Sequence, residues 1–257
     1  MAGASRIEWT DMTWNPVTGC DRVSPGCAHC YALTLAKRLK AMGSERYQRD
    51  GLDRTSGIGF GLTVHGDLLD APLRWKTPRR VFVNSMSDLF HPEVPDEFIA
   101  AVFSTMVEAR QHQFQVLTKR ADRLEALAAE LPWPPNVWMG VSIENKSWVA
   151  RADRLRNVPA AVRFISAEPL LGPLDNLDLD GIDWVITGGE SGPRHRIVDA
   201  HWIRSLRDRC RAHGVPFFFK QWGGHHPTSG GRLLDGRQWS QWPRPKPRSS
   251  ARLSPRG

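Results

Sequence analysis

The sequence predicts an α/β protein built as a parallel β/α barrel, partial or complete, and three observations carry that prediction. Apolar runs rich in Val, Ile and Phe alternate with stretches whose apolar residues recur at helical spacing, the pattern of right-handed strand–helix–strand crossovers. Polar or charged residues stand where the runs end, as they do at the working face of a barrel. The chain, 257 residues long and 40% hydrophobic, is large enough to bury one substantial core.

The elements follow in order. "MTWNP" reads as a short first strand; a loop over 19–30 follows it, and "CYALTLAKRLKAM" reads as the next helix. "LTVHGDLL" is a weaker strand candidate. "RRVFVNSMSDLF" is a strand ending on Ser85, Ser87 and Asp88, and its helix sets Ile99, Val102, Phe103 and Met106 on one face. "FQVLTKR" ends on Lys119 and Arg120 before a helix bearing Leu124, Leu127, Ala128 and Leu131. "VWMGVSI" ends on Ser142, Glu144 and Asn145, ahead of Trp148, Ala152 and Leu155. "VRFISAEPL" carries Glu168 at its end, and "DWVITGGES" carries Gly188, Gly189 and Glu190. A helix with Ile203, Leu206 and Cys210 on one face leads to "VPFFFKQWG", which ends on Lys220 and Gln221. Seven strands are well defined, and "LTVHGDLL" would be the eighth. The alternative reading is that several of these residues merely cap the helices that follow, but six ends behaving alike favour a shared face.

One barrel domain is expected over residues 1–243. The last fourteen residues, "RPKPRSSARLSPRG" (244–257), are rich in Pro, Arg and Ser without apolar periodicity and are expected to be a disordered basic tail. Six of the eight net positive charges fall between Arg232 and Gly257, so the body is nearly balanced. Met1 to Trp9 lacks the pattern of a secretory signal, and no apolar run approaches a membrane span. A soluble, cytoplasmic protein with no membrane partner is expected.

Three of the four cysteines, Cys20, Cys27 and Cys30, lie within eleven residues, in "WNPVTGCDRVSPGCAHCYA". In a reducing compartment such a cluster holds a metal or does chemistry. Gly19, Pro25 and Gly26 let the backbone turn tightly around a bound group. Three thiolates can hold three irons of a [4Fe-4S] cluster and leave the fourth open. Zinc is the rival: a tetrahedral site would need a histidine beside the three thiols, His65 or His91 from another strand end. Cys210, on an apolar helix face, reads as a small core residue.

A cysteine loop directly after the first strand of a β/α barrel, closing on "CAHC", resembles the cluster loop of radical S-adenosylmethionine (SAM) enzymes, although the first gap, from Cys20 to Cys27, is longer than that superfamily's commonest pattern. "IEWTDMTWNPVTGCDRVSPGCAHCYA", "VFVNSMSDLFH", "LTKR", "SAEPLLGP", "VITGGESG", "FFFKQWGG" and "GRLLDGRQW" resemble, in this order, the phage-type three-Cys-motif proteins, a radical-SAM-like family of unknown function found in phages and bacteria. The resemblance implies a radical-SAM-like TIM-type barrel. It implies a [4Fe-4S] cluster on Cys20, Cys27 and Cys30, SAM as cofactor with His29 near its adenine, and an electron donor as partner.

Gly188, Gly189 and Glu190 are candidate cofactor contacts, because Gly-rich turns at strand ends bind phosphate or ribose through backbone N–H groups; a plain tight turn is the other reading. Glu144, Glu168 and Lys119 are candidate catalytic residues by their place at the strand ends. Most of the eleven tryptophans are explained by burial. Trp14, Trp75 and Trp222, with Lys76, Arg79, Arg80, Lys119, Arg120 and Lys220, suggest instead stacking and phosphate contacts, hence a nucleic-acid or nucleotide substrate. Two classes of function stand: a radical enzyme, or a metal-stabilised module that binds nucleic acid or protein.

Overall fold

The computed structural model describes residues 2–5, 7–226 and 229–244. Its strands are β1 (Ala2–Ala4), β2 (Met12–Trp14), β3 (Val17–Thr18), β4 (Thr63–Val64), β5 (Arg80–Val83), β6 (Gln113–Thr118), β7 (Val137–Ser142), β8 (Val162–Ala167), β9 (Trp184–Gly188) and β10 (Phe217–Gln221). The main helices are α1 (Tyr31–Ala41), α2 (Asp96–Glu108), α3 (Ala121–Leu127), α4 (Ala150–Arg156) and α5 (Ala200–Ala212). The main sheet runs β1-β2-β5-β6-β7-β8-β9-β10. All pairings from β2 onward are parallel, and β10 is not paired back to β1 or β2, so the seven parallel strands form a curled half-barrel.

All seven expected strands are present. The eighth is corrected: of "LTVHGDLL" only Thr63–Val64 is extended, and it pairs antiparallel with β3 outside the main sheet. Gly66 opens a 3-10 turn directly after it and Val64 faces solvent, so the segment lacks both the length and the burial of a barrel strand. The edge strand β1, antiparallel to β2, has no counterpart in the sequence reading. Beyond Arg244 the expected tail lies outside the described residues. No helix among the described residues is long and apolar enough to cross a membrane.

The helices form where apolar spacing and end chemistry agree. In α2 the residues Ile99, Val102, Phe103 and Met106 are fully buried, and Asp96 and Glu97 sit in its first turn, where the helix dipole favours negative charge. Helix α5 is capped by Asp199, whose side chain accepts from His201 N at 2.8 Å, and carries Arg209 and Arg211 in its last turn. These helices cover one face of the sheet, packing against Val81, Val83, Val116, Met139, Val141, Ile165 and Val185.

The other face positions the site. Along it each strand passes from large apolar to small or polar: Trp138, Gly140 and Ser142 on β7; Phe164 and Ser166 on β8; Trp184, Ile186 and Gly188 on β9; Phe218 and Lys220 on β10. The aromatic half, with Trp9 and Phe82, forms a second core that fills the amino-terminal end of the half-barrel. A Cβ on Gly140 would stand 2.4 Å from the Phe164 ring, so this aromatic layer closes only over a glycine. What remains open is the polar half, at the carboxyl ends of the strands.

Candidate active site

A cavity of about 570 Å³ lies over those carboxyl ends, and Cys20, Cys27 and Cys30 all line it. The loop that bears them has almost no regular structure of its own, only a 3-10 turn at Pro25–Cys27, so its shape is set by bonds to four strand ends. After β5, Gly19 N donates to Met86 O at 3.0 Å and His91 Nε2 lies 3.0 Å from Asp21 Oδ2. After β6, Arg120 Nη1 donates to Cys20 Sγ at 3.4 Å and Nη2 to Asp21 O at 3.2 Å. After β7, Glu144 accepts from Ser24 Oγ at 2.5 Å. After β9, Arg196 Nη2 donates to Pro25 O at 2.9 Å, while Glu190 Oε2 lies 2.9 Å from His29 Nδ1.

Glu144 is fully buried, receives Arg151 Nη1 at 3.1 Å and has Lys119 Nζ at 3.8 Å. A Cβ on Gly26 would fall 2.6 Å from its Oε1, so the loop reaches this carboxylate only through a glycine. Glu144 therefore anchors the loop, and it is not among the residues lining the cavity. Glu168 and Lys119 do line it; Glu168 Oε1 is paired with Lys220 Nζ at 2.5 Å. Burial alone would lower the Lys119 ammonium, but the acidic groups around it, Cys27, Glu144, Cys30 and Asp88, outweigh that and raise it. Lys119 stays a cation.

Glu190 is buried, which alone would raise its carboxyl, yet hydrogen bonds from the Arg196 side chain and backbone and from His29 hold it at about 2. It is an ionised acceptor, with His29 oriented by it. Gly189 N donates to Gln221 O at 2.9 Å, and a Cβ on Gly189 would fall 1.9 Å from Trp222 O, so close backbone approach accounts for this glycine. Gly188, inside β9, packs against β10 and does not line the cavity; Gly189 and Glu190 do. Ser142 and Ser166, register partners on β7 and β8, complete the wall with hydroxyls.

Burial pushes the Cys20 thiol up to about 12, with Asp88 adding to it and Arg120 opposing; burial likewise raises Cys30 against the pull of Lys119. Loading a metal would displace those protons. Cys210 is fully buried on α5 among core side chains, as its helical spacing predicts. Neither histidine offered as a fourth zinc ligand lines this cavity. His91 Nε2 lies 3.0 Å from Asp21 Oδ2, and its Nδ1 accepts from Glu93 N at 3.2 Å. His65 Nε2 lies 2.9 Å from Thr18 Oγ1, in a separate cleft with Arg46 and Asp67. Among the described residues no three His, Cys, Asp or Glu side chains converge on a single metal position.

Of the residues expected to stack on bases or contact phosphates, Lys119, Arg120 and Lys220 line this cavity, whereas the three tryptophans and the other three cations do not. Trp14 is wholly buried with Nε1 on Leu68 O at 2.8 Å, and Trp222 Nε1 is spent on Leu233 O at 2.8 Å. Trp75, Lys76, Arg79 and Arg80 precede or begin β5, at the amino end of the strands, where Arg80 pairs with Asp11 and lies over the Trp242 ring. Sequence reasoning missed Arg120 as a sulfur contact and missed Ser24, Arg151 and Arg196 as anchors. "LTKR" marked the place of Arg120 without its direction, and Arg196 sits in an aperiodic loop that gives no signal.

The family model for "Protein of unknown function (DUF5131)" matches residues 4–243. No curated protein matches the sequence. Among solved structures, the chain is similar to spore photoproduct lyase: to a tyrosine-to-phenylalanine mutant at 13% identity and a TM-score of 0.48, and to the lyase complexed with dinucleoside spore photoproduct at 14% and 0.47. A double mutant with bound AdoMet and dinucleoside spore photoproduct is similar at 13% and 0.47. In each case the match covers 81% of this chain and 63% of the other, so this chain spans less than two thirds of the proteins it matches.

Proposed function

The chain belongs to the DUF5131 family, and we propose that it is a radical-SAM-like iron–sulfur protein that binds a [4Fe-4S] cluster through Cys20, Cys27 and Cys30 and cleaves SAM to act on a nucleotide or nucleic acid. The observation that carries this reading is that three thiols line one cavity while cations stand beside them, Arg120 at Cys20 and Lys119 near Cys27 and Cys30. The donor set fits the group. Soft thiolates suit iron–sulfur ligation, and three thiols on one wall match a cluster in which three irons each take one thiolate and the fourth stays open. A Cys3His zinc site is less well served, because His65 and His91 are bonded elsewhere.

When bound, the cluster would supply the single electron that cleaves SAM to a 5′-deoxyadenosyl radical. The chain's own residues do the rest. Glu190 keeps His29 oriented at the loop, and Arg196 holds the loop closed at Pro25. Lys119 and Lys220 offer positive charge to anionic parts of a ligand, while Ser85, Ser142 and Ser166 line the wall with hydroxyls. Glu168, fixed by Lys220, is positioned to accept a hydrogen bond. The nucleotide reading rests on this cationic and hydroxyl lining and on a volume within the range of small-molecule sites.

The test is iron, acid-labile sulfide and zinc content of protein purified without oxygen, beside Cys27→Ala and Cys210→Ala. The expected result is a stoichiometric iron–sulfur cluster lost in the first variant and retained in the second, followed by 5′-deoxyadenosine on reduction with SAM. Zinc without sulfide would end this reading.

A further inference from the structure

We infer that Arg120 is a tuning residue for the metal centre: its guanidinium donates a charge-assisted hydrogen bond to the Cys20 sulfur and makes the bound cluster easier to reduce. The inference rests on the cluster reading above and concerns what that reading leaves open, the potential at which the centre works. Arg120 is nearly buried, its side chain 9% exposed, and Nη1 lies 3.4 Å from Cys20 Sγ. The same nitrogen is 3.0 Å from Asp88 Oδ2, and Nη2 holds Asp21 O at 3.2 Å.

The guanidinium has little room to swing. Asp88, itself 7% exposed on its side chain, accepts Thr118 Oγ1 at 2.6 Å and Phe90 N at 3.0 Å on one oxygen, and Lys119 N at 3.0 Å on the other beside Arg120. A side chain so fixed points its N–H at the sulfur before any metal arrives. This is the preorganisation by which an outer partner tunes a ligand.

The direction follows from charge. Adding one electron to the cluster adds negative charge to its sulfurs. A donor fixed on a ligating thiolate stabilises that charge more in the reduced than in the oxidised state, which raises the potential. Asp88 acts with the opposite sign on the same atom pair, so the two residues set the potential between them. A purely structural role, tying the loop through Asp21 O, predicts no such dependence.

The experiment is a redox titration of the reconstituted cluster, followed by electron paramagnetic resonance, in the wild-type chain and in Arg120→Gln, Arg120→Lys, Asp88→Asn and Ser24→Ala. At the potential where the wild type is half reduced, R120Q should show a reduced-to-oxidised ratio lower by about tenfold, which is ~59 mV for one electron. R120K should shift less in the same direction and serves if R120Q fails to hold iron. D88N should shift the opposite way. S24A, which loosens the loop and removes only a neutral hydroxyl 3.8 Å from Cys27 Sγ, should move the midpoint less than R120Q. Full iron content with an unmoved midpoint in R120Q and R120K overturns the inference and leaves the cluster reading intact. A wild-type chain that takes up no iron and sulfide overturns both.

Discussion

Ser24 Oγ and Glu144 Oε1 stand 2.5 Å apart across 120 residues of sequence, a hydrogen bond that seats the cysteine loop on the end of β7. The carboxylate beneath it has no exposure to water and is neutralised by Arg151. Removing its charge should therefore cost on the order of 3 kcal/mol, because Arg151 is left buried and uncompensated. Losing the Ser24 hydroxyl should cost about 2 kcal/mol, the range for a hydrogen bond to a charged group. Urea unfolding of Glu144→Gln and Ser24→Ala measures both, and iron uptake should fall in each. A Glu144→Gln chain as stable as wild type would show that this carboxylate is free for another task.

The floor of the half-barrel makes a second demand. A methyl at position 140 would press into the Phe164 ring, so Gly140→Ala should destabilise by about 1–3 kcal/mol through overpacking. Trimming the ring in Gly140→Ala/Phe164→Leu should recover part of that loss. The coupling energy from thermal or urea unfolding of the four chains checks it; simple additivity would place the strain elsewhere.

His65 gives a pH dependence away from the cysteine-lined cavity. Burial first, and Arg46 beside it, hold its imidazolium pKa down at about 4, with Asp67 opposing. An unfolded histidine titrates near 6.5. The unfolded chain thus binds the proton first on acidification. His65 contributes full stability above about 6.5 and loses about 3 kcal/mol progressively as pH falls towards 4. Unfolding curves at pH 7, 5.5 and 4 should show that slope in the wild type and a flatter one in His65→Asn. Equal slopes would remove His65 from the acid sensitivity.

Much of this fold was legible because its strands obey a simple rule. Val, Ile and Phe are buried on both faces and a polar residue follows, which is how Arg80–Val83 through Phe217–Gln221 could be placed from composition alone. Ala2–Ala4 was not legible, since three small residues carry no alternation to read. "LTVHGDLL" misled because two extended residues before Gly66 resemble a strand start. Within the site, the cysteines announced themselves by spacing, whereas the direction of an arginine is invisible in sequence. Lys119 and Arg120 looked like phosphate contacts until the turn after β6 aimed Arg120 at a sulfur. Trp14 carries a polar N–H that a backbone carbonyl satisfies, so a fully buried indole reads like a surface one.

The bond from Arg196 to Pro25 joins residues 171 positions apart. On a ribosome adding about 5–20 residues each second, the cysteines emerge roughly ten to thirty seconds before the arginine that closes their loop has been made. During that interval the loop has neither the Arg196 guanidinium at Pro25 nor the Glu190 carboxylate at His29. The cysteine segment is thus made well before the residues that give its loop its final shape.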